Sequence, residues 1–287
     1  MGKSILLVIA LLLPAEALAQ TTERTIAVRQ GVRLDIESQH GSISVSTWDR
    51  PNVHLVARHD PTVHVEIDEA GSTLSVRAMS PRGKKVDVAY TVTVPRWTDM
   101  SLQAIHGPIT VQGAGGRVEA ENVKGGIDIQ GGSGFVEASS VEGGVTIRGA
   151  TGQISAASVN AGITITGATG PVDASTVNGS ATLRGIDSRS VEATTVNGSI
   201  VYDGTIHRDG NYVFNSHNGP VTVTVPEGAG ASVTVSTFNG GFSASFPIAF
   251  TGGRQGKTFS FVIGSGDAHL ELQSFNGQIR LRRPGER

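Results

Sequence analysis

Residues 118–204 decide the fold, and they can be written as five rows: VEAENVKGGIDIQGGSGF from Val118, VEASSVEGGVTIRGATGQ from Val136, ISAASVNAGITITGATGP from Ile154, VDASTVNGSATLRGIDSRS from Val172 and VEATTVNGSIVYDG from Val191. Successive rows begin 18, 18, 18 and 19 residues apart. A fixed period of this length is typical of a chain in which each repeat forms one structural unit that stacks on its neighbours.

The first half of each row also recurs outside this block. Its pattern is an apolar residue, any residue, an apolar residue, three further residues, a corner residue and a small residue. Further copies begin at Leu34, Met100, Tyr212, Val233 and Leu270, which brings the number of copies to ten. Ala161 is the one small residue of this set that is not glycine, and Gly162 follows it directly.

Each row contains two segments in which apolar and polar residues alternate. Alternation with a period of two predicts strands with one buried face, and no stretch after residue 19 has a convincing helical period. A row is therefore expected to run strand, corner, strand, corner. The apolar columns are Val118, Val136, Ile154, Val172 and Val191; Ala120, Ala138, Ala156, Ala174 and Ala193; Ile127, Val145, Ile163, Ala181 and Ile200; and Ile129, Ile147, Ile165, Leu183 and Tyr202.

Two all-β architectures fit these rows. In a β-solenoid each row is one coil, and equivalent residues stack in parallel ladders about 4.8 Å apart. In a meander each row is an antiparallel hairpin, for which Asn-Gly is a strong signal. The constant row length and the alanine column favour the β-solenoid. We predict a signal peptide over residues 1–19, an irregular strand-rich cap over 20–99 and a repeat β-solenoid of two-strand rungs over 100–287.

The corner residue is most often asparagine, and in two copies it is His40 or His106. Asparagine and histidine tolerate a positive φ better than most residues, so Asn-Gly indicates a tight reversal of the backbone. The alternative is a binding site made of these side chains, and the structural interpretation is favoured. The corner asparagines are Asn160, Asn178, Asn197, Asn218, Asn239 and Asn276.

The repeated V-x-A-x-x-V-N-G-x-I-x-I-x-G rows, with an apparent signal peptide and a strand-rich start, resemble the bacterial putative adhesin family. The similarity extends from about Leu34 to Arg282. This resemblance implies a β-solenoid with tight turns between its sheets, a cell-envelope location and no assigned catalytic residue.

The first twenty residues, MGKSILLVIALLLPAEALAQ, have the pattern of a secretory signal. Lys3 precedes an apolar run from Ile5 to Leu13, and Ala17 and Ala19 supply the small residues of a cleavage site. The run is too short for a transmembrane anchor, which needs about 20 residues. We therefore expect a periplasmic or extracellular protein that has no membrane span after cleavage.

Composition excludes several kinds of partner. The formal net charge is −2 and no basic patch is present, so nucleic acid is not expected as a partner. The chain has no cysteine, which removes disulfides and cysteine-based metal sites. It also has no nucleophile elbow, phosphate loop or dinucleotide fingerprint, so we predict no cofactor and no catalytic residue.

Three polar columns are candidate binding features. Glu119, Glu137, Asp173 and Glu192 share an outward column that Ser155 interrupts, and this is either a solvated face or an acidic stripe for cations. A second outward column contains Asp128, Thr146, Thr164 and Thr182, for which a structural role is favoured over binding. His54, His59 and His64, with Glu66 and Asp68, offer metal-ligand chemistry, but a half-buried strand explains the same pattern.

The prediction of function is a non-catalytic binding or adhesion module whose ligand is an envelope or surface glycan or protein. A long rigid face suits extended partners. A polysaccharide-acting β-helix enzyme would instead need a cluster of acids in a groove. A structural, self-assembling envelope protein would stack through its ends.

Overall fold

The computed structural model describes residues 20–81, 85–250 and 257–286, without the side chains of residues 249 and 250. The predicted signal peptide, residues 1–19, lies outside the described residues. In the described part of the chain all regular structure is β, in two long sheets.

Sheet 1 has 13 strands. In chain order they are β1 (Gln20–Ala27), β3 (Ile43–Trp48), β4 (Asn52–His59), β7 (Val88–Pro95), β9 (Ile109–Ala114), β11 (Ile127–Gly131), β13 (Val145–Arg148), β15 (Ile163–Thr166), β17 (Ala181–Ile186), β19 (Ile200–Gly204), β21 (Val221–Thr224), β23 (Phe242–Ala244) and β27 (Ile279–Arg282).

Sheet 2 has 14 strands. In chain order they are β2 (Arg33–His40), β5 (His64–Ala70), β6 (Thr73–Met79), β8 (Asp99–His106), β10 (Val118–Lys124), β12 (Ser133–Ser140), β14 (Thr151–Ser158), β16 (Val172–Thr176), β18 (Ser190–Asn197), β20 (Asn211–Asn218), β22 (Ala231–Thr237), β24 (Ala249–Phe250), β25 (Thr258–Ile263) and β26 (Ala268–Asn276).

Each rung contains one strand from each sheet, and successive rungs pair in parallel. Val118 pairs with Val136, Val136 with Ile154, and Ile154 with Val172. In sheet 1, Ile127 pairs with Val145 in the same way. A row folded as a hairpin would pair its own two strands antiparallel, so the meander is excluded. The predicted β-solenoid is confirmed.

The core lies between the sheets, where both inward columns of each strand are buried. Val118 and Ala120 contribute from sheet 2, and Ile127 and Ile129 contribute from sheet 1. All five alanines of the repeated column are at most 2% exposed. Burial of these columns in every rung supplies the main stabilisation of the fold, at about 25 cal/mol per Å² of apolar surface.

The two ends of the stack do not follow the order of the sequence. The β2–β3 rung lies between the β6–β7 rung and the β8–β9 rung. At the other end, the β26–β27 rung lies between β20–β21 and β22–β23. Both sheets therefore run without a break across residue 99, where the sequence predicts the boundary between cap and repeat.

Antiparallel strands cover the ends of the stack. At one end β4 lies against β7 and β1 against β4, while β5 lies against β6. At the other end β25 lies against β22 and β24 against β25. Among the named strands, antiparallel pairing occurs at these ends, where it occupies edges that would otherwise be open to pairing with another chain.

A buried column of small polar side chains holds the corner that leads from sheet 2 to sheet 1. Ser158 is 4% exposed, donates to the carbonyl of Gly143 at 3.0 Å and accepts from the N–H of Ala161 at 3.2 Å. Thr176 donates in the same way to Ala161 at 2.9 Å. Each such side chain satisfies backbone groups of a corner that could not otherwise pair inside the protein. The column includes Ser38, Asn122, Ser140, Ser158, Thr176, Thr195, Ser216 and Ser274.

Candidate functional site

The corner asparagines form a hydrogen-bonded ladder along the outside of the stack. Asn178 Nδ2 donates to Asn160 Oδ1 at 3.1 Å, and Asn197 Nδ2 donates to Asn178 Oδ1 at 2.9 Å. The ladder continues through Asn218 and Asn276 to Asn239, with distances from 2.8 to 3.1 Å. Each amide has two N–H donors and two acceptor lone pairs, so the ladder leaves one of each for an outside partner.

The sequence interpretation that the corner asparagines adopt a positive φ is wrong. Among the described residues, Asp209 is the only non-glycine residue with a positive φ, so no corner asparagine is in the left-handed region. The asparagines instead satisfy one another from rung to rung. The rest of the corner column is also paired: His40 and His106 stack at 4.4 Å, and Lys124 lies 3.3 Å from Glu142.

An exposed apolar stripe lies beside this column on the outer face of sheet 2. It has one residue in each of nine consecutive rungs and extends about 38 Å at the usual strand spacing. Eight of its members are apolar and are 40–52% exposed; the ninth, His217, is also exposed. In stack order the stripe is Ile105, Val123, Val141, Val159, Val177, Val196, His217, Phe275 and Phe238.

The aromatic end of the stripe is stacked along the axis of the solenoid. The rings of His217 and Phe275 are 4.9 Å apart and those of Phe238 and Phe275 are 4.8 Å apart, with interplanar angles of 7° and 3°. Lys257 Nζ lies 3.7 Å from the ring centre of Phe238. Since these ring faces cover one another, the outer surface presents ring edges rather than a flat aromatic platform.

The four acids predicted as a possible binding face occupy one outward column of sheet 2. Glu119 pairs with Glu137, and Asp173 with Glu192, with Ser155 between the two pairs. Glu119 accepts from Arg33 at 2.8 Å and lies 3.5 Å from Arg117. For Glu137, Asp173 and Glu192 the described residues provide no ion-pair partner. Glu137, Asp173 and Glu192 are exposed, and Glu119 is partly exposed.

The other polar candidates remain apart from this surface. Asp128, Thr146, Thr164 and Thr182 are in register on the outer face of sheet 1. His54 lies 2.9 Å from Glu23 and His59 hydrogen-bonds Thr22, both on sheet 1, whereas His64 belongs to β5 in sheet 2. Within the described ranges, no three His, Cys, Asp or Glu side chains are grouped to hold a metal ion.

Two cavities open at the ends of the stripe. The larger has a volume of about 510 Å³ and is bordered by Met79, Ile105 and Val123. The other, of about 400 Å³, is bordered by Val196, His217 and Phe275. Sequence reasoning did not predict the stripe or the cavities. The stripe has a signal in the rows, because Val123 follows the inward Val118 by five residues, and an odd spacing places it on the opposite face of the strand.

Comparison with protein families relates nearly the whole described chain to one family. Residues 24–282 match the model of Toastrack DUF4097, a family of unknown function. The chain belongs to the Toastrack DUF4097 family. The resemblance to the bacterial putative adhesin family, drawn from the repeated rows, is confirmed by this match.

Several solved structures are similar to this Toastrack DUF4097 chain. A putative adhesin from Parabacteroides distasonis is 10% identical, with 93% of this chain and 98% of that chain covered and a TM-score of 0.45. A putative adhesin from Parabacteroides merdae is 11% identical, with coverages of 91% and 96% and a TM-score of 0.43. A putative lipid binding protein from Parabacteroides distasonis is 11% identical, with coverages of 91% and 96% and a TM-score of 0.35.

A comparison with curated proteins gives no match. In the part of this Toastrack DUF4097 chain that the structure describes, no helix is both long enough and apolar enough to cross a membrane.

Proposed function

We propose that this protein is a non-catalytic binding module of the cell envelope, and that the apolar stripe with its asparagine ladder is the surface that takes an extended, uncharged ligand. The observation that carries the proposal is the continuity of the stripe: apolar side chains 40–52% exposed recur in rung after rung at one column. Soluble proteins rarely leave a contiguous apolar surface open unless it meets a partner.

The surroundings of the stripe favour a neutral polymer such as a polysaccharide. From Val159 to Phe238 the corner side of the stripe is the asparagine ladder, which has free N–H donors and oxygen acceptors but no charge. On its other side, in the same rungs, the outward column nearest the stripe contains small or polar uncharged residues, among them Ala157, Ser175 and Thr194. Hydroxyl groups of a sugar chain would bond to the amides while its C–H faces contact the valines.

A binding role also suits the exposure of the acids. A glycoside hydrolase needs two carboxylates about 5–9.5 Å apart, flanking the bond that it breaks. Three acids of the acidic column, Glu137, Asp173 and Glu192, are exposed, and the fourth, Glu119, is held by two arginines. Export to the periplasm or cell surface is part of the proposal and is supported by the signal-like sequence of the first nineteen residues.

The stripe is tested by replacing two of its central valines. The double variant Val159→Ser/Val177→Ser should lose about 1–2 kcal/mol of binding free energy. Each valine is 40% exposed in the free protein, and the ligand would cover this apolar surface. Affinity for the neutral polysaccharides that residues 20–287 bind on a glycan array should therefore fall about tenfold.

The matched control is Thr164→Ser/Thr182→Ser on the outer face of sheet 1, which should leave binding unchanged. Equal loss in both double variants would contradict a role for the stripe. Release of reducing ends with turnover would show an enzyme, and preference for cationic polymers would move the site to the acidic column.

A further inference from the structure

The larger cavity exists because β6 departs from β2. The two strands pair in parallel from Arg33–Thr73 to Ile36–Val76 and then stop, although β2 continues to His40 and β6 to Met79. Beyond that point β6 stays paired with β5, up to the His64–Met79 pair. Sheet 2 therefore opens between the second halves of β2 and β6, and the cavity of about 510 Å³ lies at this opening.

Two alanines leave the space unfilled. Ala104 of β8 occupies the column in which neighbouring rungs have Ser38 and Asn122, and it is 5% exposed. Ala78 of β6 points to the same side by its alternation with the buried Val76. Neither side chain is large enough to fill the opening. Neither can hydrogen-bond to the backbone of a corner, as Ser158 and Thr176 do in later rungs.

Two buried polar atoms of the residues that line this cavity have no hydrogen-bond partner among the described residues. They are Tyr90 Oη and Asn122 Oδ1. Tyr90 is fully buried, and burial raises the pKa of its phenol, so the group is a donor at any physiological pH. Asn122 uses its Nδ2 for the carbonyl of Gly107 at 2.7 Å, which leaves its oxygen as an acceptor. Buried polar groups are rarely left unpaired in native proteins.

The remaining lining defines the chemistry of an occupant. Met79, Ile105 and Val123 form an apolar border where the cavity meets the stripe, and Met79 and Ile105 are 52% and 47% exposed. The charged groups at the mouth are Glu37, which pairs with Arg77 at 2.9 Å, and Glu121. Two carboxylates against one guanidinium disfavour an anionic ligand.

We propose that this cavity binds an uncharged amphiphile by its hydroxyl head, with its apolar chain lying against Met79, Ile105 and Val123. A hydroxyl head can accept a hydrogen bond from Tyr90 Oη. Asn122 belongs to the β10–β11 rung, three rungs from the β6–β7 rung of Tyr90, so it does not share this head group. The volume is in the usual range of small-molecule sites, about 300–1,000 Å³. This inference goes beyond the proposed function, since it concerns a small molecule in a cavity that neither Val159 nor Val177 lines.

The probes are 1-octanol and octanoate, titrated into residues 20–287 and followed by chemical-shift changes in nitrogen-15 NMR spectra. We expect saturable binding of 1-octanol, with shifts centred on β6, β8 and β10, and at least tenfold weaker binding of octanoate. Failure of 1-octanol to saturate, or equal affinity of the two probes, would overturn the proposal.

Two variants separate binding from folding. Tyr90→Phe removes a hydroxyl that has no partner among the described residues, so the melting temperature should be unchanged. The affinity for 1-octanol should fall about tenfold. Tyr202→Phe is its control: that hydroxyl donates to Thr205 at 2.6 Å in a distant rung, and binding should be unchanged. Ala104→Leu should fill the cavity and abolish binding in a folded protein. Full binding by Ala104→Leu or Tyr90→Phe would refute the site.

Discussion

Replacement of Ile147 by alanine is expected to lower the free energy of unfolding by about 3 kcal/mol. Ile147 is fully buried in sheet 1, between Ile129 and Ile165 of the adjacent rungs. Truncation of a buried isoleucine loses transfer free energy and leaves a cavity, for a usual total of about 2–5 kcal/mol. The rungs above and below fix the backbone of β13, so the site has little freedom to collapse. Urea denaturation followed by circular dichroism measures the change.

The matched control is the neighbouring residue on the same strand. Thr146 points to the outer face of sheet 1, and Thr146→Ala should change stability by no more than about 0.5 kcal/mol. A slip of one residue in the register would exchange the two faces of the strand. Equal costs for the two variants, or a larger cost for Thr146→Ala, would therefore show that the assigned faces are wrong.

Gly107→Ala is expected to cost about 2–3 kcal/mol, the second largest effect. Gly107 has a φ of +117° at the corner after β8, and a Cβ built there would lie 2.0 Å from the carbonyl oxygen of Gly41 in the next rung. An alanine must therefore adopt a strained backbone and also displace a backbone atom that is held in the stack. The measurement is again the midpoint and slope of urea denaturation.

Two other glycines distinguish the cost of a left-handed backbone from the cost of the steric clash. Gly149 has a φ of +64° but open space around its Cβ position, so Gly149→Ala should cost only the left-handed penalty of about 1–2 kcal/mol. Gly241 has open space and no left-handed φ, so Gly241→Ala should be nearly neutral. If the loss of unfolding free energy does not decrease from Gly107→Ala to Gly149→Ala to Gly241→Ala, the corner geometry is incorrect.

The central rungs could be predicted from the sequence because every level of information agrees there. The 18-residue period, the alternation of Val136 with Ala138 and the glycines at the corners all indicate parallel coils. The role of the asparagines could not be inferred from propensity, because positive φ is a local property. The bond from Asn178 to Asn160 depends on stacking of rungs 18 residues apart.

The ends and the binding surfaces were harder to predict for a topological reason. The copy at Leu270 follows the copy at Val233 in the chain, yet β26 lies between β20 and β22. Nothing in an eight-residue pattern specifies such an insertion, since each copy fits every other equally well. The larger cavity arises where β6 leaves β2, which is a feature of strand pairing rather than of local sequence.

The continuity of the stripe across the inserted rung is the claim on which the proposed function depends most. The chain has no cysteine, so pairs of engineered cysteines can be linked without background. The structure places Phe275 next to both His217 and Phe238, with ring centres 4.9 and 4.8 Å away. His217 and Phe238 are two rungs apart, or about 9.6 Å.

The decisive measurement is bridging of these cysteine pairs by a short thiol reagent such as dibromobimane, read by mass spectrometry of the purified protein. The pairs His217→Cys/Phe275→Cys and Phe238→Cys/Phe275→Cys should be linked efficiently, and His217→Cys/Phe238→Cys should not. Efficient linking of His217→Cys with Phe238→Cys, together with failure of His217→Cys/Phe275→Cys, would show that the rungs stack in sequence order and would contradict the order of the stripe.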